Sequence, residues 1–340
     1  MGGARVTSIQ VAKRAGVSQS AVSRVFTQGA SVSKKTADKV KKAAEELGYR
    51  PNVLARSLIT GKSHMIGLMV AYLENYFYPE ALEKLSNALQ AEGYHVLVFM
   101  AEQTTGNMDK VLDEILDYQV DGLIMASVAI SSELAARCQA AGVPVVLFNR
   151  NQDDERLSAV TSDNVAGGRK IADFLIRAGH HRIGYIAGWE GASTQRDREA
   201  GFRSGLQDAG HELYARETGE FQYEQAQEAA RRMFDKKERP DAVFVANDHM
   251  AFAVMDVLRF ELGLDIPGDV SVVGFDDVPL AAWPAYDLTT VRQRANQMVA
   301  ETVRTLLANI EHRDAEPRRV AIEGPLIVRG SSRKPKDWSE

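Results

Sequence analysis

Gln19, Ser20, Ser23 and Arg24 crowd together just beyond a turn containing Gly16, and glutamine and arginine are side chains that can read nucleic-acid bases. Glutamine pairs bidentately with adenine and arginine with O6 and N7 of guanine, each good pair contributing about 1–3 kcal/mol of discrimination. Taken singly, Gln19 and Ser20 are equally ordinary exposed helix residues; their place after a turn in a basic segment gives them weight. A second chemistry-bearing group stands at the ends of apolar runs: Tyr72 after the run beginning at Met65, Asn149 and Arg150 after VPVVLF, Asp248 after VFVAN, and Asp276 with Asp277 after VVGF. Carboxylates and amides accept from hydroxyls, a guanidinium donates a planar fork and an aromatic face stacks. The set therefore suits a sugar or another small polyhydroxylated ligand. Asp276 and Asp277 could instead cap a helix or order a turn, and Tyr72 could be a core aromatic.

Catalysis finds little support. The sequence has no G-x-x-x-x-G-K-[ST], no H-E-x-x-H, no G-x-S-x-G and no cysteine cluster. His180 and His181 are adjacent between a helical and a strand-like segment, where a turn explains them better than a metal does. No catalytic residue, metal or cofactor is expected. The single cysteine, Cys138, cannot form an intramolecular disulfide, and the N-terminal stretch lacks an apolar core of signal-peptide length. The longest apolar runs are strand-sized, against about 20 residues for a membrane helix. A cytoplasmic protein without a membrane span is the expectation.

The elements that must carry these residues follow from pattern and charge. Thr7 with Gln10 three positions on reads as a capping box opening a helix whose inner side could use Ile9, Val11, Ala12 and Ala15. Gly16 ends that helix, and Ser18 can cap a second one with Val22 and Val25 inside and Gln19, Ser20, Ser23 and Arg24 elsewhere. Two short helices about such a turn make a helix-turn-helix, whose second helix enters the major groove. A third helix starting at Ser33 would bury Val40, Ala44 and Leu47 and stop at Gly48. Residues 1–62 carry +9 and the remainder −14, within a net charge of −5. A basic head on an acidic body can touch polyphosphate with one end only.

Beyond residue 64, runs rich in Val, Ile and Leu at 65–72, 94–100, 120–126, 143–149, 183–187, 242–246 and 270–275 alternate with amphipathic stretches of helical length. Such alternation predicts doubly wound parallel sheets, with ligands beyond the carboxyl ends of the strands. With 45% hydrophobic and 26% charged residues, the chain has the composition of an ordinary globular protein.

The stretches TSIQVAKRAGVSQSAVSRVF and VSKKTADKVKKAAEELGYRPNVLARSL closely resemble the LacI family of bacterial repressors. The resemblance continues through DNVAGGRKIADFLIRAGHHRIGYIAG, VFVANDHMAFAV, VSVVGFDDVPLAAW and LTTVRQ. It implies a small all-α helix-turn-helix domain at 1–50, a hinge helix and linker at 51–63, and a two-lobed α/β sensor and dimerisation domain at 64–340. The sensor resembles periplasmic sugar-binding proteins, its first lobe at about 64–162 and 292–322 and its second at about 163–291 and 323–332. The DNA-facing set implied is Thr7, Ser18, Gln19, Ser20, Ser23 and Arg24, joined by Asn52, Ala55, Arg56 and Leu58 of the hinge, with Leu58 wedged into the minor groove. To Tyr72, Asn149, Asp248 and Asp276 the resemblance adds Phe77, Tyr78, Thr194, Arg198 and Phe221, the last also readable as a core aromatic. Arg198 and Asp248 stand out as the leading ligand contacts.

The function implied is a homodimeric repressor on a pseudo-palindromic double-stranded operator, controlled allosterically by a small-molecule effector, most simply a sugar. A corepressor-type regulator sensing a nucleobase or phosphorylated metabolite is the nearest alternative. A sugar-kinase-like enzyme with a DNA-binding head would need a phosphate loop, and none is present; a transport binding protein would not need the basic head. The stretch 333–340 is too short for a heptad-repeat tail, so a dimer rather than a tetramer is expected.

Overall fold

The computed structural model describes residues 6–26, 30–50, 62–71, 73–101, 108–127, 132–152, 156–235 and 237–338. The chain divides into two compact units, Met1–Ser63 and His64–Glu340.

Among the described residues of the first unit, three helices, α1 (Ser8–Ala15), α2 (Gln19–Val25) and α3 (Lys34–Leu47), are each opened by a hydroxyl. Thr7 Oγ1 accepts from Gln10 N at 3.4 Å while Gln10 Oε1 accepts from Thr7 N at 2.8 Å, a complete capping box. Ser18 accepts from Ala21 N at 3.2 Å, and Ser33 from Thr36 N at 3.3 Å. These bonds satisfy amides that a helix start otherwise leaves without partners. Gly16 and Gly48, both at φ 67°, end α1 and α3 in the left-handed conformation. Val11, Ala12, Val22, Val40, Ala43 and Ala44 form the core, flanked by Val25, Phe26, Leu47 and Tyr49. Ile9 does not join it and is 62% exposed. The stripe of Val11, Ala12 and Ala15 centres about 110° round the helix from Ile9 at 3.6 residues per turn.

The second unit holds two six-stranded sheets. The first comprises β1 (Met65–Val70), β2 (His95–Met100), β3 (Gly122–Ala126), β4 (Val145–Phe148), β5 (Ser158–Ser162) and β11 (Arg319–Ile322), in the order β11-β5-β4-β3-β1-β2, all parallel. The second comprises β6 (Ile183–Ala187), β7 (Ala215–Thr218), β8 (Ala242–Val245), β9 (Ser271–Asp276), β10 (Thr289–Arg292) and β12 (Leu326–Ile327), in the order β12-β10-β9-β8-β6-β7. Among the described residues only β12 runs antiparallel to its neighbour. Strands β1, β3, β4 and β8 are apolar along their whole length because helices cover both faces.

Around the first sheet lie α4 (Phe77–Ala91), α5 (Met108–Asp117) and α6 (Ser132–Ala140). Around the second lie α7 (Asn164–Arg177), α8 (Ser193–Asp208), α9 (Tyr223–Phe234) and α10 (Asp248–Asp256). Helix α11 (Ala295–Glu311) follows a strand of the second sheet yet packs on β3, β4, β5 and α4. The chain thus passes between lobes three times, from β5 to α7, from β10 to α11, and from β11 to β12. Hydrogen bonds tie these crossings side by side: Asp163 N to Ile322 O at 2.9 Å, Arg292 N to Pro325 O at 2.9 Å, and Ser162 Oγ to Gln293 Oε1 at 2.8 Å.

One close approach sets the position of a functional side chain. Helices α7 and α8 meet through Gly168 and Gly201, where an added Cβ would stand 2.3 Å from Arg198 O and 2.1 Å from Val165 O respectively. No other residue permits backbones so near, and the contact fixes the turn of α8 that carries Arg198.

Candidate functional site

Helix α2 buries only Val22, leaving Gln19, Ser20, Ser23 and Arg24 exposed. Gln19 Nε2 donates to Ser8 Oγ at 3.1 Å, and Ser18 Oγ lies 2.9 Å from Ser20 Oγ. The first turn of α2 is therefore held as a unit, with Thr7 and Ser18 acting visibly as caps. Asn52, Ala55, Arg56 and Leu58 of the expected hinge, and Tyr72, lie outside the described residues.

In the second unit, Asn75, Tyr78, Ser127, Asn149 and Arg150 of the first lobe and Thr194, Arg198, Phe221, Asn247 and Asp276 of the second line one cavity of about 20 Å³. All stand near strand ends or in the segments that follow. Asn149 and Arg150 succeed one another beyond β4, where side chains alternate between faces. The left-handed backbone of Asn149, φ 57°, breaks that alternation and lets both line the cavity. Asparagine tolerates this conformation better than most residues. Asp276 also has positive φ, 135°, as do Glu220 and Phe221 at 54° and 61°. Backbone strain gathers around this cleft.

Arg198 is fully engaged. Its Nε donates to Asn164 Oδ1 at 2.9 Å, Nη1 to Ala246 O at 2.6 Å and Nη2 to Asp276 Oδ1 at 3.3 Å, with its guanidinium 3.8 Å from the Phe275 ring centroid. Asp276 also accepts from Gln293 Nε2 at 2.6 Å and, across the lobes, from Asn75 Nδ2 at 3.0 Å. A second interlobe bond runs from Asn151 N to Ser193 Oγ at 2.9 Å.

Two expected ligand contacts stand elsewhere. Asp248 is fully buried away from the cavity, accepting from Thr290 Oγ1 at 2.6 Å and from Val278 N at 3.0 Å. Its carboxylate braces β10 against the loop after β9, and its neighbour Asn247 lines the cavity instead while capping α10 through Met250 N at 3.0 Å. Phe77 belongs to the first-lobe core, its ring stacked on Phe148 at 6.2 Å and edge-on to Tyr78 at 5.5 Å. Asp277 faces Arg292 and Arg329 at 2.5 and 2.6 Å. Asn75, Ser127 and Asn247 escaped the reading of the sequence; Asn247 alone carried a signal, as the last residue of VFVAN.

The signature of bacterial regulatory proteins of the lacI family matches residues 9–52, and that of the periplasmic binding protein-like domain matches residues 172–332. The HTH-type transcriptional regulator CelR of Thermobifida fusca is 35% identical over 339 residues, covering 96% of this chain and 98% of CelR. The chain belongs to the lacI family of transcriptional regulators. Among solved structures, a CelR–cellobiose complex is 32% identical with a TM-score of 0.73, covering 96% of this chain and all of that one. A lac repressor dimer bound to operator and the anti-inducer ONPF is 27% identical with a TM-score of 0.87, covering 96% and 99%.

In this lacI-family sensor domain the cleft is electrostatically charged as well as polar. Burial raises the Asp276 carboxyl above its usual range, although Arg198, Asn75 and Gln293 pull it down. Burial also raises Asp248, and the nearby Asp276 charge adds to the rise. Burial lowers Arg150, while the Tyr78 phenol beside it acts in the opposite sense. Among the described residues no group of His, Cys, Asp and Glu could hold a metal ion.

Proposed function

We propose that this lacI-family regulator represses transcription as a homodimer on a pseudo-palindromic operator, and that a small sugar held between its lobes sets the operator affinity. The observation that carries the reading is the convergence of Asn75, Tyr78, Asn149 and Arg150 with Thr194, Arg198, Asn247 and Asp276, one set from each lobe, on a single small cavity. Amide, carboxylate and guanidinium groups so arranged match a ring of hydroxyls. Similarity to the cellobiose complex of CelR supports a sugar.

A cavity of about 20 Å³ has room for little more than one water, so a sugar enters only if the lobes part. The interlobe bonds Asn75–Asp276 and Asn151–Ser193 are then broken and remade, which couples ligand to lobe arrangement. Such couplings typically amount to about 1–3 kcal/mol and are reciprocal. In the head, Gln19, Ser20 and Arg24 read base edges, and Lys34, Lys35 and Lys39 of α3 stand near phosphates. Dimerisation has support from the lac repressor dimer and from exposed apolar side chains: Val98 and Met100 on the edge strand β2, and Phe260, 81% exposed, in the second lobe.

Selection of duplexes from a random pool, at about physiological salt where sequence-independent attraction is weak, tests the reading. Recovery of a palindrome, followed by a sugar-dependent change in its retention, is the expected result. A folded dimer that retains no sequence above background, with or without a metabolite mixture, would refute it.

A further inference from the structure

Arg150 is the cleft residue whose chemistry is left incomplete. It is 4% exposed; its Nη2 donates to Ser127 Oγ at 3.3 Å, and the neutral Tyr78 phenol is its other hydrogen-bonding neighbour. Nε and Nη1 are buried without a partner, as is Oδ1 of the adjoining Asn149. No carboxylate lies within ion-pair distance of Arg150 among the described residues; its charged neighbours, Arg196 and Arg198, are cations. The guanidinium lies 5.6 Å from the Trp189 ring centroid, a contact that does not supply a counter-charge. Arg198, by contrast, is matched by Asp276 at 3.3 Å.

A buried charge with most of its donors unspent is costly unless something in the same site accepts them. We infer that the cleft takes a sugar acid, a monosaccharide-sized ligand whose single carboxylate meets Arg150 while a hydroxyl donates to Asn149 Oδ1. The charge balance selects the carboxylate: one cation in the cleft is uncompensated, which one negative charge neutralises and a doubly charged phosphate exceeds. The Arg150 fork suits a planar carboxylate, which can take two parallel N–H···O bonds. This inference rests on the sugar-sensor reading above and adds the charge of the ligand to it.

The test is calorimetric titration of the full-length protein with D-glucuronate, D-galacturonate and D-gluconate, each beside D-glucose, D-galactose and D-glucose 6-phosphate. At least one acid binds about 100-fold or more tighter than its neutral counterpart and than the phosphate, and Arg150→Met removes that preference. A second readout needs no ligand: Arg150→Met, which replaces an unpaired buried cation by an apolar chain of similar length, raises Tm in the absence of sugar. A neutral sugar or the phosphate binding best, or no acid binding at all, overturns the inference; so does a fall in Tm on Arg150→Met, the mark of a merely structural arginine. Neutral-sugar binding that Arg198→Ala abolishes, with no acid preferred, would sink the acid while leaving the sugar sensor standing.

Discussion

Asp248 offers a measurement in which geometry and pH act together. Replacing it by alanine leaves the amide of Val278 and the hydroxyl of Thr290 buried without their acceptor, each costing about 1–3 kcal/mol. A total loss of about 3–4 kcal/mol corresponds to roughly 6 °C in Tm for a unit of this size. Asparagine keeps an oxygen for Val278 N, and the Thr290 hydroxyl can rotate to accept from the new amide, so Asp248→Asn loses far less. The two side chains also differ in titration. Burial and the Asp276 charge raise the Asp248 carboxyl in the folded state. The favourable contribution of a raised group is complete below its unfolded pKa, about 4, and is lost as pH climbs through the folded value. Asparagine does not titrate, so Tm of Asp248→Asn minus Tm of the parent grows between about pH 5 and about pH 8. Thermal melts of the three proteins across that range decide the matter. A constant or shrinking difference, or asparagine as damaging as alanine, would mean that Asp248 is not held as a buried, reluctant carboxylate.

Arg24→Ala weakens binding to the selected operator by about 1–3 kcal/mol and relaxes preference at one base pair, read by competition against single-site variants; uniform loss across all sequences would assign Arg24 to the phosphates. Gly201→Ala places a Cβ 2.1 Å from Val165 O, so helices α7 and α8 must separate at a cost of about 1–3 kcal/mol. A parental Tm and parental ligand affinity in that variant would contradict the packing argument. His180 is fully buried, and desolvation with the Arg333 charge lowers its pKa to about 4. A depressed histidine stabilises the fold above its unfolded pKa of about 6.5 and loses that contribution as pH falls through the folded value, about 3 kcal/mol in all. Denaturant titrations from about pH 7 to about pH 4 should show this loss in the parent and not in His180→Gln.

The head was the most legible part of the chain because its signals are local. Thr7, Ser18 and Ser33 announce helix starts and Gly16 and Gly48 announce stops, so caps and core could be placed within a residue. Only Ile9 misled, since a short helix leaves its hydrophobic phase loosely determined. In the sensor domain the long apolar strands were plain, but β7 (ARET) and β10 (TTVR) have few apolar side chains, β11 (RVAI) is only four residues long, and all three exist through pairing with distant partners. The cleft was half legible for a related reason. Arg198 and Asp276 sit where strand ends and motif predict, yet whether Asn247 or Asp248 faces the cavity depends on which side of β8 the chain turns, and that is decided by Thr290 and Val278, over 25 residues away.

The three tied crossings between lobes also constrain how this protein can change. No single cut separates the second lobe from the first: an exchange with a relative requires junctions near Asp163, Gln293 and Gly324 at once. At Gly324 an added Cβ would stand 1.9 Å from Arg292 O, so even one of these junctions admits almost no variation. The lobes therefore behave as a pair: a change of ligand preference is reached with far less disturbance by substitution at the cleft, among side chains such as Asn149 and Arg150, than by exchange of one half.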